Sequence, residues 1–325
     1  MHFVSDTVKI NHIDSTDTTF KITNEISTDD LIKSINHVGL ISPPILKLKA
    51  NNRYIVVSGF RRIAACHFLG WGHIDARIVS VDESDLNCFK LSIADNAQNR
   101  QLNVIEQAVS ISKLSIFFSN DDVALSQESK KLGLNVNTGL IKKLKEINTV
   151  HAELKKKIAT GVIPLTIGLE LGELEHGTAI VFSQIIEELN PTLNHQKEII
   201  RLSKEISRLN NVPMSDIIND CIIADTINDP ELDRNQKIKK IRRKLKQIRY
   251  PEIVRFETKY FALMQRIKLP ESIHLIPPVN FEGNTYSINL VFQNLAQFKD
   301  INKILNKMQN HPDFAKIIEK ELEDN

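Results

Sequence analysis

The segment Tyr54-Ile55-Val56-Val57-Ser58-Gly59-Phe60-Arg61-Arg62-Ile63-Ala64-Ala65 decides how the N-terminal part of the chain folds. Its first four residues are β-branched or aromatic, which predicts a strand that ends at Ser58. Gly59 then marks a sharp turn, and the apolar spacing after it predicts a helix over about residues 61–69. A glycine between a strand and a helix lets the backbone approach a ligand closely, and the N-terminus of a helix attracts anions.

Two arginines open this predicted helix. The guanidinium groups of Arg61 and Arg62 carry forked donors that match the oxygens of a phosphate. Together with the turn glycine, they predict an anion site at Gly59, Arg61 and Arg62. A turn glycine followed by two solvated arginines is the alternative interpretation.

Elements of both kinds flank this segment. A helix is predicted over 28–39, and a strand at Ile45–Leu48 is expected to pair antiparallel with residues 54–57. A third strand over 74–79 follows, and residues 82–85 open another helix because acidic and hydroxyl residues favour a helix start. This order predicts a small α+β domain.

Beyond about residue 120 the pattern becomes almost entirely helical, with glycines and prolines between the helices. A strand over 286–292 and a final amphipathic helix are predicted near the C-terminus. We therefore divide the chain into five regions: an N-terminal extension (1–24), the α+β domain (25–119), a helix-turn-helix domain (120–190), a helical region with a basic helix (191–250) and a strand-helix region (251–325).

The composition is that of a globular protein, with 42% hydrophobic and 25% charged residues among 325. The first residues lack the basic and apolar regions of a secretion signal, and no long apolar run is present. We therefore expect a cytoplasmic protein without a membrane span. Cys66, Cys88 and Cys221 are dispersed and show no metal-ligand spacing, so we expect reduced core thiols.

Residues 123–147 predict a helix-turn-helix. A helix over 123–132 is followed by a glycine-containing turn at 133–135 and a second helix over 136–147, which is typical of this motif. The second helix of such a motif enters the major groove of DNA. Two short helices without a DNA role are the alternative.

Five residues of the second helix are candidates for DNA contacts. Asn137 and Thr138 stand at its N-terminus, where side chains reach base edges. Lysines further along would contact phosphates, which position a protein on DNA without specifying sequence. These lysines are Lys142, Lys143 and Lys145.

Two further segments are candidates for ligand contacts. Asp95 and Asn96 follow an apolar helix, and an aspartate beside a carboxamide offers two hard oxygen ligands to magnesium. A polar loop between helices is the alternative. The run 237–249 carries eight basic residues and no acid, which predicts an amphipathic helix with either a solvated basic face or a second phosphate contact.

The order of these motifs resembles the ParB/sulfiredoxin-like domain followed by a helix-turn-helix, as in ParB-type partition proteins. Residues 31–45 resemble the opening of that domain, and the segment 54–65 is similar to its Gly-Glu-Arg-Arg box. Residues 95–108 are similar to its Glu-Asn-x-Gln-Arg segment. The resemblance covers about residues 25–175, roughly half of the chain.

The resemblance implies a DNA-binding homodimer that acts in chromosome or plasmid partition, on the nucleoid, with a partition ATPase as a possible partner. It also implies a DNA clamp that uses CTP and magnesium. Carried over to this chain, Gly59, Arg61 and Arg62 would hold phosphates, and Asp95 and Asn96 would serve the metal. Residues 286–308 are similar in outline to the dimerisation end of such proteins.

Two departures from the family pattern affect the expected chemistry. Phe60 stands where the family box carries glutamate, and a phenyl ring can neither coordinate a metal nor activate water, which puts CTP hydrolysis in doubt. Asn99 displaces Arg100 by one position from the family arginine. The alternatives are therefore an enzyme, either a CTPase or a nuclease, and a protein-interaction adaptor that has lost the nucleotide.

Overall fold

The chain forms two compact units, Met1–Asn190 and Pro191–Asn325, in a computed structural model that describes residues 2–23, 28–49 and 52–319. The boundary that we predicted between residues 24 and 25 lies outside the described residues. The first unit contains the α+β domain and a set of helices. The second unit is mainly helical, with one pair of strands.

Five strands of the first unit form one mixed sheet within the described ranges. They are β1 (Val4–Lys9), β2 (Ile13–Asp14), β3 (Ile45–Leu48), β4 (Tyr54–Ser58) and β5 (His73–Val79), in the order β1-β5-β3-β4-β2. The strands β3 and β4 pair antiparallel as predicted, whereas β5 pairs parallel with β3 and antiparallel with β1. The predicted α+β fold class is therefore confirmed.

Residues 4–14 correct one of our expectations. We placed them in an extension outside the domain, but they supply β1 and β2 at the two edges of the sheet. Only Val8 of β1 is buried, so the strand lacks the alternation of apolar and polar residues that identifies a half-buried strand. Backbone pairing with β5, from Val4 opposite Ile78 to Lys9 opposite His73, holds β1 in place instead.

Three helices accompany the sheet: α1 (Asp29–Val38), α2 (Phe60–Phe68) and α3 (Asp85–Asn99). Leu46, Val56, Ile63 and Ile74 join strands and helix in one buried core. Helix α3 corrects a second expectation, because it continues through Asn99, whereas we placed Asp95 and Asn96 after its end. The polar residues of its last turns hide the helical period there, so the pattern looked like a loop.

The described residues of the first unit form six more α-helices: α4 (Val104–Ser115), α5 (Asp122–Lys131), α6 (Thr138–Ile147), α7 (Ala152–Ala159), α8 (Leu165–Gly172) and α9 (His176–Leu189). Apolar residues at helical spacing bury one face of each, including the fully buried Leu114, Leu125 and Leu144. The helical character predicted for this part of the chain is confirmed.

The second unit contains seven helices and two strands among its described residues. They are α10 (Leu193–Asn210), α11 (Met214–Ile218), α12 (Cys221–Asn228), α13 (Arg234–Arg249), α14 (Pro251–Ile267), β6 (Ile273–Ile276), β7 (Ser287–Leu290), α15 (Leu295–Met308) and α16 (Pro312–Ile318). Strand β7 lies within the predicted strand, but its antiparallel partner β6 was not predicted. Strand β6 has only four residues, too few to show a clear alternation of apolar and polar side chains.

The basic helix α13 is partly neutralised by α10. Arg242 Nε lies 2.5 Å from Glu198 Oε2, and Arg249 Nε lies 2.7 Å from Glu205 Oε2. Lys239 and Arg243 are exposed. The basic run is therefore an amphipathic helix. Some of its basic side chains form ion pairs with α10, and others face solvent.

The thiols of Cys66 and Cys88 are free and buried, and burial raises the pKa of Cys88 to about 11. Both therefore remain thiols at neutral pH, as expected of core cysteines. The side chain of Cys221 lies outside the described residues. Across the described part of the chain, no helix is both long and apolar enough to cross a membrane.

Candidate nucleotide and DNA sites

A cavity of about 310 Å³ lies at the N-terminus of α2. The turn between β4 and α2 lines one part of it with Gly59, Arg61 and Arg62, and Asn96 of α3 lines another part. Four of the five residues that we predicted for nucleotide and metal binding thus surround one space, although they come from two separate motifs. The volume is at the low end for small-molecule sites.

Gly59 makes the sharp turn that exposes the start of α2. Its φ is +98°, in the left-handed region that glycine adopts without strain. A Cβ added here would lie 2.8 Å from Pro44 Cβ and 3.1 Å from Arg62 Nε. The position therefore requires glycine for conformation and for space.

We expect Gly59→Ala to lower the free energy of unfolding by about 3 kcal/mol. Backbone strain at a positive φ and a steric clash with the rigid ring of Pro44 both contribute to this loss. Gly70→Ala is the matched control, since Gly70 also has a positive φ but has no atom within 4 Å of an added Cβ. It should cost only about 1 kcal/mol. Urea denaturation followed by the fluorescence of Trp71, which packs against the same core, measures both. Equal losses for the two variants would contradict the close fit at Gly59.

Arg62 is held by several partners. Its Nη1 donates to the carbonyl oxygen and the hydroxyl of Ser42, both at 2.9 Å, and to the carbonyl oxygen of Pro43 at 3.1 Å. Its Nη2 donates to Asp95 Oδ2 at 3.1 Å. Arg62 therefore ties α2 to the segment before β3 and to α3, and a phosphate would have to share donors that already have acceptors.

Asp95 does not line the cavity, in contrast to Asn96. Its Oδ2 accepts from Arg62 and also from the buried hydroxyl of Ser58, at 2.5 Å. The amide nitrogen of Asn96 donates to the carbonyl oxygen of Ser92 at 2.8 Å, which leaves Oδ1 as the atom able to bind a cation.

The residues present fit phosphate better than they fit a metal. The carboxylate of Asp95 is engaged in an ion pair with Arg62, and Asn96 alone adds one neutral oxygen. No cluster of three or more metal-binding side chains occurs among the described residues. These residues therefore do not form a metal site by themselves, and the metal role that we predicted for Asp95 stays a prediction.

We expect Asp95→Asn to act mainly on stability. Removing the charge weakens a hydrogen bond to a buried hydroxyl and an ion pair with Arg62, and we expect a loss of about 1–3 kcal/mol in the free energy of unfolding. Urea denaturation measures it, with Asp85→Asn as the control for a more exposed aspartate of the same helix. A large change in the magnesium dependence of nucleotide binding at unchanged stability would instead support a metal ligand.

Arg100 also lines the cavity, although we did not select it as a site residue. Its two terminal nitrogens donate to the two carboxylate oxygens of the fully buried Glu106, each at 2.6 Å. These hydrogen bonds raise the pKa of the Arg100 guanidinium. Glu106 also completes a capping box with Asn103 at the start of α4. The capping box could have been predicted from the sequence, because an acidic residue stands at the third helical position after an N-cap asparagine.

Helices α5 and α6 form a compact pair. The hydroxyl of Ser126 donates to the carbonyl oxygen of Val136 at 2.7 Å, and Lys145 Nζ lies 2.7 Å from Asp122 Oδ1. The second helix begins at Thr138, two residues later than we predicted, because the side chain of Asn137 caps it by accepting from the backbone N–H of Leu140. The cap orients the start of α6.

The five predicted DNA-contact residues do not share one environment. Four of them are exposed on α6 or at its N-cap: Asn137, Thr138, Lys142 and Lys143. Lys145 is half-buried and pairs with Asp122 of α5, so in this structure it joins the two helices. The phosphate contact that we predicted for Lys145 stays a prediction.

Comparison with known proteins identifies the domain that contains the cavity. Residues 4–96 match the family model described as the ParB N-terminal domain. These residues are therefore similar to the ParB N-terminal domain. The matched range includes β1 and β2, in agreement with the sheet. It also includes Gly59–Arg62 and the first two residues of the second motif, Asp95 and Asn96.

The similarity to curated relatives covers more residues than the match to the ParB N-terminal domain. The chain is 30% identical over 190 residues to a probable chromosome-partitioning protein ParB of Campylobacter jejuni, covering 58% of this chain and 66% of that protein. It is 33% identical over 118 residues to a nucleoid occlusion protein of Oceanobacillus iheyensis, covering 36% and 40%. The matched segments thus span less than two thirds of each relative's own length.

Solved structures of ParB proteins show weaker likeness. A C-terminally truncated ParB from Caulobacter crescentus complexed to the centromeric parS site is 17% identical with a TM-score of 0.37, covering 60% of this chain and 98% of that one. The same protein complexed with CTP-gamma-S is 19% identical with a TM-score of 0.26, covering 56% and 98%. The similarity of this chain to ParB proteins rests on the family-model match over residues 4–96 and on the sequence identity to these relatives.

Proposed function

We propose that this chain is a ParB-like DNA-binding protein that binds CTP in the cavity at Gly59 and duplex DNA with the α5–α6 pair. Its role would be chromosome or plasmid partition or a related organisation of the nucleoid. The observation that carries the proposal is the cavity itself, where two distant ParB-like motifs surround the N-terminus of α2. The names of the relatives, one a partition protein and one a nucleoid occlusion protein, support the same role.

Phosphate binding would use the backbone first. The N–H groups at the start of α2 have no partner within the helix, and Gly59 leaves the approach to them open. Arg61 and Arg62 would add charge and forked donors. CTP is the nucleotide that the resemblance implies, with magnesium arriving on its phosphates.

DNA binding would use α6. Asn137 and Thr138 would face base edges, and Lys142 and Lys143 would neutralise phosphates on either side of the groove. Residues 286–308 would join two copies into a dimer, as the resemblance implies, and a partition ATPase is the partner implied by that role.

Titration of the wild-type protein with each of the four ribonucleoside triphosphates, in the presence of magnesium, tests the nucleotide part. Isothermal calorimetry should show binding of CTP and at least about ten-fold weaker binding of the other three. Equal binding of all four would contradict the choice of CTP, and no binding of any would contradict the proposed site.

We expect no hydrolysis of bound CTP above the protein-free rate. Phe60 occupies the position next to Gly59 where a side chain could reach a phosphate, and its ring cannot orient a water molecule as a carboxylate does. A phosphate-release assay with excess CTP measures this. Turnover that is lost in Arg61→Ala/Arg62→Ala would show an enzyme instead.

A further inference from the structure

A second cavity of about 750 Å³ lies beside the first in the ParB domain, and Phe60 lines both. Segments from β1 to residue 21 line one part of it, and α2 and the turn before β5 line the rest. Apart from Phe60, the residues that surround the first cavity do not reach it. Its volume lies well within the range of small-molecule sites.

The inner part of this cavity is apolar and contains two aromatic rings. The buried side chains of Ile13, Val56 and Ile63 line it, together with the partly buried Phe60 and Trp71. Such a surface favours a planar ring, because burial of apolar area and ring stacking both stabilise it.

The charged side chains of the same cavity are all basic. Its basic and imidazole side chains are Lys9, Lys21, His67 and His73, and no aspartate or glutamate is among the described residues that line it. Lys9 of β1 stands directly opposite His73 of β5, so two of these groups are neighbours across the strands. Lys21 Nζ lies 6.0 Å from the centroid of the Phe60 ring. A ligand in this cavity would therefore meet positive charge beside the aromatic surface.

We propose that this cavity binds a planar organic anion of about the size of a nucleoside monophosphate. The ring would pack against Trp71 and the apolar floor, and the anionic group would face Lys9 and Lys21. The apolar and cationic features are both needed for this class of ligand, because a neutral ring would leave the charge unused and a simple anion would leave the apolar floor exposed.

This site is independent of CTP binding in the first cavity. It shares Phe60 with that cavity, but none of its basic residues belongs to the Gly59-Arg62 or Asp95-Arg100 segments. A failure of CTP to bind in the first cavity would leave this proposal intact. A failure of AMP to bind in the second cavity would likewise leave the proposed CTP site intact.

Trp71 lines the cavity and is the only tryptophan of the sequence, so tryptophan fluorescence reports on ligand binding there. Titration of the 325-residue chain with AMP should change the fluorescence of Trp71 in a saturable way. Adenosine carries only the ring and ribose 5-phosphate carries only the anion, and each should bind about ten-fold more weakly than AMP or worse. Calorimetry with the same three compounds provides a measurement that does not depend on fluorescence.

Variants separate the two cavities. Lys9→Glu/Lys21→Glu should weaken AMP binding about ten-fold or more, and this loss should be larger than the loss in Arg61→Ala/Arg62→Ala. Circular dichroism and the Tm verify folding, and Lys9→Gln serves as a milder variant at an exposed position if the double variant is unstable. Absence of AMP binding, equal binding of adenosine, or loss of binding only in the arginine variant would each overturn the proposal.

Discussion

CTP binding should weaken about 100-fold or more when Arg61 and Arg62 are both replaced by alanine. A hydrogen bond to a charged group contributes about 1.5–3 kcal/mol, so the loss of two guanidinium groups from a phosphate site amounts to roughly 3–6 kcal/mol. Part of the effect of Arg62 would be indirect, because this side chain also fixes Ser42 and Asp95 around the cavity. Calorimetric titration of CTP with magnesium measures the change.

The control for this variant is Arg77→Ala. Arg77 is an exposed arginine of β5 whose guanidinium lies 4.0 Å from the centroid of the Phe3 ring, outside the cavity. It should bind CTP like the wild type. The Tm of each single variant shows whether that variant is folded. If a folded Arg61→Ala protein binds CTP as tightly as the wild type, Arg61 takes no part in the site.

Duplex DNA should bind roughly 10- to 100-fold more weakly to Lys142→Glu/Lys143→Glu. Both lysines are exposed on α6, and each phosphate that a protein neutralises releases counterions from DNA. The slope of log affinity against log salt should therefore fall in magnitude by about 2. Fluorescence anisotropy with a labelled duplex of random sequence, measured over a series of salt concentrations, gives both quantities.

Lys197→Glu/Arg208→Glu is the matched control, since it makes the same charge change on two exposed basic residues of α10. A loss of DNA affinity of the same size in both variants would mean that net charge, rather than α6, determines binding. An unchanged salt slope in the α6 variant would contradict the proposed DNA contacts. Asn137→Ala has a weaker diagnostic value because this residue also caps α6.

Elements with a strong local pattern were predictable from the sequence. The β-branched residues before Ser58, the glycine after it and the apolar spacing beyond it predicted β4 and α2 within about one residue at each end. Strand β1 was not predictable in this way, because edge pairing through the backbone leaves little trace in the side chains. The polar end of α3 was misassigned for a related reason, since its side chains face a cavity rather than a core.

The residues of the candidate site were easier to predict than their partners. Gly59 and the arginines follow from local turn and helix chemistry, whereas the bond between Arg62 and Asp95 joins positions that are distant in sequence. Only the packing of α3 against β4 brings them together. The role of Ser42 as an acceptor for Arg62 had no sequence signal, because a serine before two prolines is an ordinary loop residue.

Under the proposed function, the ion pair between Arg100 and Glu106 would compete with ligand binding in the cavity. A phosphate that draws the guanidinium of Arg100 into the cavity takes it away from the carboxylate that caps α4. Helix α4 packs against α5 and α6. Under the proposed function, occupancy of the cavity and the order of the α5–α6 pair would therefore be thermodynamically linked. Such linkage is reciprocal: whatever DNA does to the start of α4 must alter the affinity for the nucleotide by the same factor.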